Sequence, residues 1–221
     1  MNGTSKPADI ERKSLSIIEE ELARQGILLP PEEAPVVKRV IHATADFDFA
    51  STLTFTPGAV PQGIASLKNG VPVITDTNMA RAGISTAGLR KLGGEVLCFM
   101  ADQEVAAEAR RAGTTRAAAA VRYAAARYPS AVFAVGNAPT ALLELAEKIE
   151  GGYRPALVIA VPVGFVNVVE AKERILAVCQ ACGVPAIAAM GRKGGSSVAA
   201  AVCNALLYQA ADMTDPASRG W

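Results

Sequence analysis

The sequence predicts an α/β fold: a doubly wound, mainly parallel sheet of about five strands with helices on both faces, flavodoxin-like, preceded by N-terminal helices. Three observations lead to it. Short β-rich runs alternate with alanine-rich helical ones along most of the chain. Those runs are continuously apolar, as strands covered on both faces must be. The 221 residues suffice for one domain with a substantial core. Hydrophobic residues make up 51% and charged residues 19%, below the roughly 25% charge of an average domain, so the chain reads as compact rather than disordered.

In chain order, charged amphipathic patterns predict a helix over about residues 9–25 and a second over about 32–43. Strands follow at "VPVIT" (71–75), "EVLCFM" (95–100), "AVFAV" (131–135), "ALVIAV" (156–161) and "AIAAM" (186–190). Stretches such as "QEVAAEARRAG" and "TRAAAAVRYAAARY" supply the helices between them, and the run Ala117–Ala120 suits a closely packed helix. The tail, about 213–221, reads as loose.

Several classes of partner are disfavoured. A formal net charge of +1 gives no electrostatic case for nucleic acid or an anionic membrane. The greasiest run, "PALVIAVPVGFVNVV", is too short to span a bilayer and is broken by Pro162 and Gly164. The opening residues enter a charged helical pattern without an apolar signal region, so a cytoplasmic location is expected. Cys179 and Cys182 have C-x-x-C spacing, but Gly183 and Pro185 put them at a helix C-terminus, where the dipole disfavours a thiolate. With one histidine in the chain, a zinc site lacks ligands. All four cysteines are expected to be reduced and buried, with no bound metal.

Chemistry is expected at the strand exits. "VGNAPTAL" places Pro139 in the first turn of a helix; "VPVGFVNVVEAKE" has capping-box-like spacing between Asn167 and Glu170; and "GRKGGSSVAAAV" offers Ser196 or Ser197 as a cap. Helix N-termini at such exits present free N–H groups, and with Arg192 and Lys193 they describe a crevice for anionic groups. Neither standard phosphate loop is present. His42, the single imidazole, should share a helix face with Lys38, Arg39 and, if the helix continued, Asp46. Cations lower an imidazole pKa and a carboxylate raises it, so residue types alone leave open a structural histidine and a proton-transfer group.

Taken together, "VKRVIHATADFD", "GNAPTAL", "VPVGFV", "EAKE" and "GRKGGSSVAAAVCNALLY" resemble the precorrin-8X methylmutase family, in its order and over nearly the whole chain. "RVIHATADFD" and "TDTNMA" look closer to its cobalt-precorrin-8 branch. The resemblance implies an isomerase of cobalamin biosynthesis that moves a methyl group from C-11 to C-12 of a contracted tetrapyrrole without an external cofactor. It implies that His42 transfers the proton, and that Ser14, Arg39, Ser85, Arg116, Asn137, Arg192, Lys193 and Gly194 contact the polycarboxylated substrate. It also implies a homodimer with active sites near the subunit interface, and possible hand-over to neighbouring enzymes of the pathway. The family often reads "VGFVGAAESKE" where this chain has "VGFVNVVEAKE", and Ser197 stands where Asn is common. A non-catalytic tetrapyrrole carrier and a nucleotide-dependent flavodoxin-like enzyme are the competing readings.

Overall fold

The computed structural model describes residues 6–219. The chain opens with α1 (Pro7–Arg24), α2 (Ala34–Thr44) and α3 (Phe49–Thr52), then β1 (Leu53–Phe55), α4 (Ala59–Lys68) and β2 (Val73–Thr75). Next come α5 (Asn78–Gly83), α6 (Thr86–Lys91), β3 (Val96–Leu97), α7 (Gln103–Arg111), α8 (Arg116–Arg127), β4 (Val132–Val135) and α9 (Pro139–Glu150). The chain continues through β5 (Leu157–Ala160), α10 (Val168–Cys182), β6 (Ala186–Ala189) and α11 (Ser196–Ala210) to a 3-10 turn at Pro216–Arg219.

The strands lie in the order β1-β6-β5-β4-β2-β3. All neighbours are parallel except β1, which runs antiparallel to β6. The five expected strands are present and form the parallel part of the sheet. The sixth, β1, is a correction: three residues give too short an alternation to register as a strand, and pairing with β6 supplies what local pattern does not.

Alternation across the sheet explains the two helical layers. Val132, Ala134, Leu157 and Ile159 face a core built with α1, α2, α4 and α11. Phe133, Val135, Val158 and Ala160 face the other, built with α8, α9 and α10. Helix α11 carries alanine or another apolar residue on nearly every side and is buried along its length, so its small side chains let neighbours approach. Gly136 is one such approach: a Cβ there would lie 2.9 Å from the Ser196 backbone.

The C-terminal segment is not loose through residue 219, a second correction. Met213 and Pro216 are buried, and the Arg219 side chain is 5% exposed. Residues 220 and 221 lie outside the described residues. Among the described residues no helix is long and apolar enough to cross a membrane.

Candidate active site

The strand order reverses between β2 and β4, because the chain winds outward to β3 and then crosses back to β4, β5 and β6. Ligands of open α/β sheets bind at such a point, beyond the carboxyl ends of the strands. Here that edge is cross-linked. Asp76, directly after β2, accepts hydrogen bonds from the N–H groups of Gly136 (2.8 Å), Asn137 (2.8 Å) and Ala138 (2.7 Å) after β4. Burial pushes the Asp76 carboxyl above its usual pKa, and the three N–H donors pull the other way. Thr77 and Ser196 hydroxyls meet at 2.7 Å, Gly164 N–H donates to Arg192 C=O (3.1 Å), and Gly195 N–H to Val161 C=O (2.8 Å).

The expectation of free N–H groups at all three exits is therefore corrected at the β4 exit, where the protein's own carboxylate occupies them. Two capping assignments are corrected as well. Asn167 sits in the left-handed region at φ 56° and caps nothing with its side chain. Gly195, not a serine, holds the cap position of α11, and Ser196 turns to Thr77 instead. The "GRKGG" loop is held from within by fully buried Lys172, whose ammonium donates to the carbonyls of Gly191 and Lys193, both at 2.8 Å. Burial lowers the Lys172 pKa to about 8. Gly194 is required there, since a Cβ would collide with the carbonyl of Val161.

His42 stands on the last turn of α2, whose helix ends at Ala45 in a left-handed conformation. That cap redirects Asp46 away from the His42 face. Asp46 and Asp48 instead receive Lys193, each at 2.6 Å, which joins the β6 exit to the end of α2. Lys38 turns to Glu19. The partner His42 does have is Ser14 of α1, whose hydroxyl lies 2.8 Å from Nδ1. Burial, then Arg39, lower the His42 pKa; Glu11 raises it and Arg219 lowers it, with a net downward shift.

Between α1 and α2 lies a cavity of about 640 Å³ with His42 and Ser14 in its wall beside Ile10, Ile17, Ile41 and Phe47. Such a volume suits a small-molecule ligand. Ile10 and Ile17, on its rim, are 58% and 51% exposed.

The other expected site residues divide. Arg116 and Asn137 lie at the starts of two tied helices: Asn137 precedes α9, and Arg116 opens α8, which Thr115 ties to Thr140 of α9 at 2.8 Å. Its guanidinium donates to Met100 C=O at 3.3 Å. Arg192 leans over the Phe165 ring at 5.7 Å, in a loop where Phe165 is 84% exposed. Arg39 is less available than expected, because it is 13% exposed and ion-paired to Glu11 at 2.5 Å. Ser85 is not brought to the others. It caps α6 and bonds through its N–H to Asn204, eight residues along α11 from Ser196 and so roughly 12 Å from that crevice at 1.5 Å per residue. Asp76, Lys172, Glu11 and Arg219 were not singled out from sequence. An aspartate closing an apolar strand in "VPVITD" was the available signal for the first.

This geometry defines a class: an α/β protein with a switch-point crevice and a single imidazole on the wall of an apolar cavity. No cluster of three or more metal-ligating side chains occurs among the described residues. The sequence profile of the precorrin-8X methylmutase family matches residues 9–209. The chain is 42% identical to the cobalt-precorrin-8 methylmutase of Priestia megaterium over 92% of this chain and 88% of that one. It is 37% identical to the precorrin-8X methylmutase of Pseudomonas aeruginosa, over 89% and 93%. A precorrin-8X methylmutase crystal structure from Thermus thermophilus superposes with a TM-score of 0.83 at 42% identity, covering 92% of this chain and 98% of that one. The chain belongs to the precorrin-8X methylmutase family. Its reaction is the family's intramolecular methyl transfer, an isomerisation in cobalamin biosynthesis.

Proposed function

We propose that the chain moves the methyl group of cobalt-precorrin-8 from C-11 to C-12, with His42 as proton donor and acceptor. The observation that carries this is the Ser14–His42 hydrogen bond on the wall of the apolar cavity. With Nδ1 held by Ser14, Nε2 is the nitrogen left to exchange a proton with the macrocycle. The lowered pKa makes the imidazolium a stronger acid than one in water. A proton given to the macrocycle favours migration of the methyl group and returns once the bond to C-12 has formed, so no proton is consumed overall. Ile10, Ile17, Ile41 and Phe47 suit the apolar face of a tetrapyrrole, and Arg116, Asn137 and Arg192 its carboxylates. The resemblance of "RVIHATADFD" to the cobalt branch supports a substrate that already carries cobalt.

The exposed rim isoleucines support a second copy of the chain covering the cavity mouth, as a homodimer with its sites near the interface. A cytoplasmic enzyme working beside others of its pathway fits these features. Incubation with cobalt-precorrin-8, followed by its visible spectrum, tests the reading. His42→Ala should keep binding the corrinoid and lose about 10²–10⁴ in rate, the usual worth of a positioned acid. The wild-type pH profile should show a limb below the ordinary imidazole value of about 6.5, absent from the variant. Near wild-type turnover by His42→Ala would remove the histidine from the mechanism.

A further inference from the structure

Behind the Ser14–His42 pair lies a second polar contact between the same helices. Glu11 is three residues before Ser14 on α1, and Arg39 three before His42 on α2, so each lies one turn away on its partner's face. Glu11 and Arg39 form a nearly buried ion pair, 10% and 13% exposed. Arg219, from the far end of the chain, joins the same Glu11 oxygen. Two more of its donors are also fixed: Nε bonds Met213 C=O at 2.9 Å and Nη2 bonds Thr214 C=O at 2.8 Å. The guanidinium stacks 3.8 Å from the Tyr208 ring centroid on α11.

We infer that Arg219 is a positioning residue for His42: it staples the C-terminal segment and α11 to Glu11, and thereby holds α1 where Ser14 engages the imidazole. The inference rests on the proposed role of His42 as the proton-transfer group. Arg219 does not line the cavity that His42 lines, so its effect passes through Glu11 and Ser14. The cluster sets one carboxylate against two guanidiniums, a surplus of positive charge beside the ring that opposes imidazolium formation. The other charges near the ring are accounted for. Asp9 and Lys13 of α1 line the same cavity, Asp46 is held by Lys193, and Lys38 by Glu19.

Because the chain has one histidine, its imidazole resonances can be titrated by NMR without ambiguity in the full-length free protein. Arg219→Met removes the cation and leaves Glu11 less compensated, and both changes favour imidazolium, so His42 should titrate at higher pH than in wild type. Arg219→Lys restores the charge and should return the titration toward wild type. Glu11→Gln removes the carboxylate and should move it to lower pH. In turnover, Arg219→Met should lose roughly tenfold in kcat with KM within about twofold, as expected for a residue that orients the acid without touching substrate. A folded Arg219→Met whose His42 titrates as in wild type would overturn the inference, as would Arg219→Lys titrating like Arg219→Met. If Arg219→Met does not fold, an unmoved titration in Glu11→Gln is equally decisive. The titration needs no turnover, so loss of the methylmutase reading would appear separately, as wild-type protein inert toward cobalt-precorrin-8.

Discussion

The strand-exit edge and the α1–α2 wall are both parts of the candidate site, and they are built in opposite ways. At the edge, polar groups satisfy one another: Asp76 fills three N–H groups, Lys172 fills two carbonyls, and Thr77 meets Ser196. At the wall, one hydrogen bond orients one ring beside a cavity lined by isoleucines. Exit loops of a parallel sheet must bend sharply, and buried backbone groups at the bends need partners. The N-terminal helices face no such demand and can leave a side chain poised toward open space. The edge is therefore a rigid frame that carries Arg116 and Arg192, and the wall is where the proposed proton transfer would take place.

Substitutions can separate frame from wall. The largest contrast is His42→Ala against Asp76→Ala. The first should cost activity as described above while leaving thermal stability near wild type. The second strands three N–H donors, one buried and two partly buried, that now bond a carboxylate, and should cost about 3 kcal/mol of stability. For a chain of this size that corresponds to a melting temperature lower by about 6–12 °C, measurable by circular dichroism. If Asp76→Ala melts like wild type, the carboxylate is not the tie that holds the exits together.

Smaller in effect is the loss of a single cation from the frame. Arg116 makes one long hydrogen bond to Met100 C=O and no ion pair among those described, so its charge remains available to a substrate carboxylate. A hydrogen bond to a charged group contributes about 1.5–3 kcal/mol. Arg116→Ala should weaken corrinoid product binding by roughly tenfold or more, without a change in kcat of the saturated enzyme. Arg39→Ala should differ, because Arg39 is ion-paired to Glu11, and its loss should be felt in stability as well. Equal affinity in Arg116→Ala and wild type, read by fluorescence or absorbance titration, would take Arg116 out of the site.

How much was legible in sequence follows the same division. The parallel sheet and the position of its exits were readable, because continuous apolar runs and glycine-rich exits are local patterns. His42 stood out as the only imidazole, and Ser14 entered through the family resemblance. What local pattern could not show was partnership at a distance. Asp76 meets Gly136 across 60 positions, and Glu11 meets Arg219 across 208. Asp46 was read as a neighbour of His42 on a continuing helix, but a left-handed Ala45 ends α2 and hands Asp46 to Lys193. β1 was missed because three residues do not make a strand without β6 beside them. The tail was read as loose because chain ends generally are, although the one arginine in it has a buried carboxylate to reach.

The smallest expected effect concerns the cysteines, which tests whether chemistry is confined to the carboxyl edge. Cys179 and Cys182 end α10, and Val184, which follows their helix, donates to Cys179 C=O just before β6 begins. The pair thus lies at the amino end of the parallel strands, on the face opposite the core that contains Ile41 beside His42. All four thiols are free; Cys179 and Cys203 are buried as expected, whereas Cys98 and Cys182 are only partly so, a correction to the sequence reading. Burial pushes the Cys179 thiol up to about 12, which leaves almost no thiolate for redox or metal chemistry at neutral pH. Serine is nearly isosteric, and its hydroxyl at the buried position should cost stability rather than function. Cys179→Ser with Cys182→Ser should therefore melt somewhat earlier and still convert cobalt-precorrin-8 at the wild-type rate. Loss of methyl migration in a double variant that folds normally, or one zinc per chain by elemental analysis of the wild type, would place chemistry at the amino edge and break the division between the two ends of the sheet.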